Sequence, residues 1–269
     1  MHEKNVNRRG ALKKVAIGAC AAIGVAAVAT EGYLLLHRRP MEDLYGPYPA
    51  KSGFKPLKFA NPHAEKPNVI LIYCDDLGYG DLGCYGSTSI RTPHIDLLAK
   101  NGLRLSDYYA CSGVCSPSRA GLLTGRYPFR SGMTGNPYPA NEAKTQRMLR
   151  NWAGQLSVLG STDLHEEYAT EGLSDKELTI ASALKLAGYR TAMIGKWHLG
   201  DFSQQPEFHP NKFGFDRYFG VPHSNDMRPC PLYRDTQEVE ADILNILPEV
   251  TGRYTTEAIE IIESSKGPP

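Results

Sequence analysis

Asn68-Val69-Ile70-Leu71-Ile72-Tyr73 runs into Cys74-Asp75-Asp76 and then into Leu77-Gly78-Tyr79-Gly80-Asp81-Leu82-Gly83-Cys84-Tyr85-Gly86. The first run is apolar without alternation and rich in β-branched residues. That is the pattern of a strand covered on both faces, the habit of parallel sheets. A pair of carboxylates closes it, and a glycine-rich turn follows. Adjacent carboxylates repel unless a cation or hydrogen bonds hold them, and their hard oxygens suit calcium or magnesium. A solvated Asp-Asp turn is the plain alternative.

Outward from this run the chain alternates between strand and helix signals. Thr92-Pro93, then Ile95, Leu98 and Ala99, with Gly102 behind them, predict a capped helix. Residues 103–109 alternate like a strand. Ser174 with Glu177 has the spacing of a capping box, and Leu178, Ala181, Leu184 and Ala187 form a helical stripe ended by Gly188. Residues 190–194 read as another strand, and residues 253–266 as a helix. Such alternation predicts an α/β fold with a mostly parallel sheet flanked by helices. In such sheets ligands gather at the carboxyl ends of the strands.

Two further strings carry chemistry. The first is Cys115-Ser116-Pro117-Ser118-Arg119, continuing as Ala120-Gly121-Leu122-Leu123-Thr124-Gly125-Arg126. Ser116 suits a helix N-cap and Pro117 the first helical position, where a missing N–H costs nothing. Cys115 then stands just ahead of a helix N-terminus, whose free N–H groups suit an anion. Arg119, four residues on, can face the same side and fork onto anionic oxygens. A buried free cysteine capping a helix is the bland alternative. The second string is Gly195-Lys196-Trp197-His198-Leu199-Gly200. On an extended backbone Lys196 and His198 point the same way and Trp197 opposite. A lysine and a histidine on one face can bind an anion and move protons.

Together these strings resemble the sulfatases. The resemblance implies oxidation of Cys115 to formylglycine, whose hydrate is the nucleophile, with Arg119 fixing it. It implies Asp75 and Asp76 as ligands of calcium, with magnesium as the alternative ion, and Cys115 beside that metal. Lys196 then holds sulfate oxygens and His198 acts on the formylglycine hydroxyl. Phe213-Gly214-Phe215-Asp216-Arg217-Tyr218-Phe219-Gly220, leading into Pro222-His223-Ser224-Asn225-Asp226, resembles the arylsulfatase A-like branch. There a serine contacts substrate, which implies a substrate-binding role for Ser224 with His223 as its neighbour. The likeness runs from about Asn68 to Cys230. It implies an alkaline phosphatase-like fold, hydrolysis of a sulfated small molecule or glycan, and a formylglycine-generating enzyme as maturation partner. A phosphonate or phosphate monoesterase of the same superfamily and a catalytically incomplete sulfate-binding fragment are the competing functions. The family's remaining metal ligands and acid–base groups lie beyond Pro269, so the chain is expected to be the N-terminal portion of the catalytic domain.

The chain has 269 residues, 41% hydrophobic and 22% charged, with net charge +1. That suits a globular domain and offers no basic surface for nucleic acid. Residues 1–40 stand apart. Asn7-Arg8-Arg9-Gly10-Ala11-Leu12-Lys13-Lys14 is a basic head before an apolar run, the pattern of a twin-arginine signal peptide. A membrane anchor over residues 15–36 is the alternative, since the apolar stretch approaches the roughly 20 residues that span a bilayer. Either reading places the rest outside the cytoplasm, periplasmic or secreted. Residues 41–67, punctuated by prolines, read as a linker, and residues 68–269 as the catalytic portion, with an insert at about 137–172. Six cysteines are too few and scattered for a disulfide framework.

Overall fold

The computed structural model describes residues 66–139 and 171–265. These belong to one unit, Pro49–Ala143 with Asp163–Pro269. The signal or anchor at 1–40, most of the linker at 41–67 and nearly all of the expected insert lie outside the described residues.

Helix α1 is Pro93–Asn101, α2 Cys115–Thr124, α3 Pro128–Ser131 and α4 Ile180–Leu186. Strand β1 is Ala192–Ile194, β2 Arg217–Gly220, β3 Leu232–Arg234 and β4 Gln237–Glu240, and helix α5 is Leu247–Ser264. The sheet order is β1-β2-β3-β4. β1 and β2 are parallel, with Ala192 opposite Arg217 and Ile194 opposite Phe219. β2–β3 and β3–β4 are antiparallel. The architecture is thus α/β, but the parallel part of the described sheet is the β1–β2 pair.

The core lies on both sides of that pair. Trp197, Phe213, Met133, Leu173 and Leu199 are buried together, with Phe215 edge-on to Trp197 at 6.3 Å between ring centroids. Cys230, Leu232, Ile243 and Val250 form the second cluster, under α5. A buried carboxylate ties α5 to the sheet: Glu257 receives Arg234 at 2.7 Å and Arg217 at 3.8 Å.

Several expectations are met locally. Pro93 stands in the first turn of α1 and Gly102 ends it. The strand expected over 190–194 is β1. α5 covers residues 253–264 of the expected helix but starts earlier, at Leu247, with Pro248 in its first turn, and ends at Ser264.

Others are corrected. Residues 68–73 and 103–109 join no ladder among the described residues, 106–107 forming a bend, and their apolar side chains are exposed, Ile72 at 75% and Leu103 at 84%. A strand of this type needs a neighbour on each edge, and the described residues supply none to either. α2 begins at Cys115 with Val114 as N-cap, so Ser116 is inside the first turn, its buried hydroxyl without a partner among the described residues. Asn136 caps instead, its Oδ1 accepting the Ser116 N–H at 2.9 Å. α4 is capped not by the Ser174–Glu177 box but by Thr179, whose hydroxyl accepts the Ser182 N–H at 3.0 Å. Glu177 cannot reach back because its buried carboxylate is held by Arg126 at 2.6 Å.

Candidate active site

The parallel register of β1 and β2 continues past both strands. The N–H of Gly195 donates to Phe219 O at 2.8 Å, that of Trp197 to Val221 O at 3.0 Å and that of His198 to Pro222 O at 3.0 Å. Residues 195–198 therefore run alongside 219–222, at the carboxyl ends of two adjacent strands. This approach requires glycine: a Cβ on Gly220 would lie 1.9 Å from the Gly195 carbonyl oxygen. Gly195 at φ +107° and His198 at φ +56° turn the chain, so side-chain direction here no longer follows strand alternation. Trp197 still enters the core.

Lys196, only 13% exposed at its side chain, reaches two acceptors. Its Nζ donates to Asp75 Oδ2 at 2.9 Å and to Ser224 Oγ at 3.1 Å. Arg119 arrives from α2, with Nη1 on the Lys196 carbonyl at 2.7 Å and Nη2 3.3 Å from Asp75 Oδ1. Its buried Nε has no partner among the described residues. The guanidinium lies over the Tyr73 ring at 5.5 Å, and the Tyr73 and Ser118 hydroxyls are 2.5 Å apart. Tyr73 thus secures the end of the 68–73 run to α2, and one carboxylate is shared by both cations. Burial alone would raise the Asp75 pKa, but the Lys196 hydrogen bond and the Arg119 and Lys196 charges hold it below the usual carboxylate value.

Cys115 is half-buried in the first turn of α2, about one helical turn before Arg119. The other end of α2 is fixed by the Arg126–Glu177 pair and by Gly125 in the left-handed conformation. His198 is fully buried, and neither ring nitrogen has a partner in hydrogen-bonding geometry among the described residues. Burial first, then the charges of Lys196 and Arg119 and the neighbouring His223, lower its pKa to about 3, with a weak opposing pull from the Pro137 backbone. It is neutral. His223 is also buried, and its Nδ1 donates to the Ser224 carbonyl at 3.1 Å. That bond shapes the loop presenting Ser224.

The structure brings Asp75, Arg119, Lys196 and Ser224 into direct contact, with His198 close enough to feel both cations. Asp75, Asp76 and Cys115 do not converge: among the described residues no three His, Cys, Asp or Glu side chains gather as a metal cluster. Asp75 is drawn to its cations, and Asp76 is exposed on a turn at φ +55°. The two carboxylates fit a hard dication by donor chemistry, though such ions want six or more oxygens. Sequence reasoning passed over Asp226, two residues after Ser224. Its hydrogen bond with the Ser224 side chain holds its pKa below the ordinary value, with Lys196 contributing. It also passed over Asn136, whose partner lies twenty residues back on α2.

The family model Sulfatase matches residues 67–268. The chain belongs to the sulfatase family. It is 44% identical over 178 residues to Steryl-sulfatase of Mus musculus, covering 64% of this chain and 24% of that protein. Arylsulfatase A of Homo sapiens is 43% identical over 167 residues, 62% of this chain and 27% of that one. The chain thus spans about a quarter of the length of these relatives. Among solved structures, Ps i-CgsB in complex with k-i-k-neocarrahexaose aligns with TM-score 0.52 and 29% identity, over 72% of this chain and 41% of that one. Among the described residues no helix is long and apolar enough to cross a membrane.

Proposed function

We propose that this chain carries the nucleophile and part of the anion-binding apparatus of a sulfate-ester hydrolase working outside the cytoplasm. The observation that supports this best is the convergence of Lys196, Arg119 and Ser224 at the ends of β1 and β2, facing α2 at whose start Cys115 stands.

Converted to formylglycine by a maturation enzyme, Cys115 supplies as its hydrate one hydroxyl that attacks sulfur while the S–O bond to the alcohol breaks and the alcohol leaves protonated, and a second whose deprotonation expels sulfate and restores the aldehyde. Arg119 and Lys196 provide positive charge where negative charge accumulates on the sulfate oxygens. Ser224, which accepts from Lys196 and donates to Asp226, orients that ammonium toward the substrate anion. His223 serves by fixing the Ser224 loop. His198 takes the proton of the second hydroxyl. Buried beside two cations it is a weak base, and a sulfate group between it and those cations offsets their repulsion and raises its basicity. Asp75 and Asp76 would contribute to a calcium or magnesium site whose other ligands lie outside the described residues, and that ion would withdraw charge from sulfate oxygens. The matching substrates are sulfated small molecules or glycans.

The test joins chemistry to turnover. Expressed with a formylglycine-generating enzyme, the peptide containing Cys115 should carry an aldehyde by mass spectrometry. Cys115→Ala should abolish aryl sulfate hydrolysis by the whole protein while leaving thermal unfolding nearly unchanged, since a small side chain in a first turn fills little core volume. Active protein with an unmodified thiol, or preference for aryl phosphate over aryl sulfate, would overturn the reading.

A further inference from the structure

Lys196 and Arg119, the two cations assigned to the substrate anion, are not free: both are bonded to Asp75, at 2.9 and 3.3 Å. A carboxylate and a sulfate present the same feature, negatively charged oxygens about one fork apart, so they compete for the same donors. The Asp75 side chain is 42% exposed, against 13% for Lys196 and 11% for Arg119. The cations are held in place and the carboxylate is the partner with room to move. Arg119 also keeps a buried Nε–H that has no partner among the described residues.

We infer that Asp75 is an internal counter-ion that competes with the substrate's sulfate group for Lys196 and Arg119. A ligand that draws the Asp75 carboxylate away therefore raises anion affinity, and a hard divalent cation at Asp75 and Asp76 is such a ligand. By linkage the anion raises cation affinity by the same factor. In this account Asp75 keeps the cation pair neutralised until metal and anion arrive together. It rests on reading Lys196 and Arg119 as the anion-binding pair, but needs neither turnover nor conversion of Cys115.

The probe is inorganic sulfate, titrated calorimetrically into the whole chain without divalent cations. Asp75→Asn keeps the side chain's shape and removes its charge. Part-exposed ion pairs are individually modest, so the variant should bind sulfate roughly three- to tenfold more tightly than the unaltered chain. Calcium should tighten sulfate binding to the unaltered chain by a similar factor and lose that effect in Asp75→Asn. Lys196→Met should abolish sulfate binding in both backgrounds. Equal or weaker binding by Asp75→Asn, or no sulfate binding by either protein, overturns the inference. Should Asp75→Asn fail to fold by circular dichroism, the calcium arm on the unaltered chain decides: an unchanged sulfate affinity overturns it. Tight sulfate binding by the whole protein bearing formylglycine at position 115, with no turnover of aryl sulfate, would instead count against the hydrolase reading alone.

Discussion

His198 illustrates how burial and neighbouring charge set the chemistry of one side chain. Its pKa falls from 6.5 to about 3, so the unfolded chain binds a proton at this position that the folded chain refuses. Stability is then fully present above pH 6.5 and is lost as pH falls below it, by about 1.4 kcal/mol per unit at most, until the folded group titrates near 3. The urea midpoint should therefore drop between pH 7.5 and 5.5, by an amount equivalent to about 1.4 kcal/mol. His198→Gln should flatten that drop, because a neutral amide does not titrate. Equal pH dependence in the two proteins would mean that another group governs the window. Asp75, whose pKa is also lowered, acts farther down in pH and does not confuse the comparison.

Two elements place the site, and each hangs on one contact. The β1–β2 pair brings residues 195–198 beside 219–222 only because Gly220 has no side chain. Gly220→Ala forces the two backbones apart. Strain of that kind costs on the order of 1–3 kcal/mol, and thermal unfolding should show it together with weaker sulfate binding as Lys196 leaves Ser224. The far end of α2 depends on Arg126 and the buried Glu177. Arg126→Met leaves a buried carboxylate unpaired, and chemical denaturation should register a loss of about 3 kcal/mol. The double change Arg126→Met with Glu177→Gln should recover part of it, as coupled neighbours do. Simple additivity of the single losses would show that the ion pair does not anchor the helix.

At the scale of the molecule, the described residues present a large apolar surface. Val69, Ile70, Leu71 and Ile72 are each more than half exposed, and Leu103 and Tyr109 still more so. With net charge near zero, exposed strand-like segments of this kind favour association. The chain should bind a hydrophobic dye strongly and associate as its concentration rises. Ile70→Lys combined with Ile72→Lys should lower both signals without moving the unfolding transition, because neither side chain is in either core cluster. Unchanged dye fluorescence in that variant would place the responsible surface elsewhere.

What could be read from the residues alone was whatever local rules determine. α1 carries its own proline start and glycine stop, β1 is a short apolar run after a helix-ending glycine, and the Cys115–Arg126 and Gly195–Gly200 strings hold their chemistry within a few residues. Those signals sufficed for the fold class and for most of the candidate residues. What the tertiary structure decided was which partner each charged group takes. Glu177 has the spacing of a helix cap and becomes the counter-ion of Arg126, fifty-one residues away. Asp75 has the look of a metal ligand and bonds to Lys196, 121 residues away, while Arg119 joins it from α2. Asp226 enters through Ser224. A carboxylate's local sequence fixes its charge but not its neighbour. That choice follows from which elements the sheet register and the core bring together and, for Glu177, from the cost of leaving a charge buried without a partner.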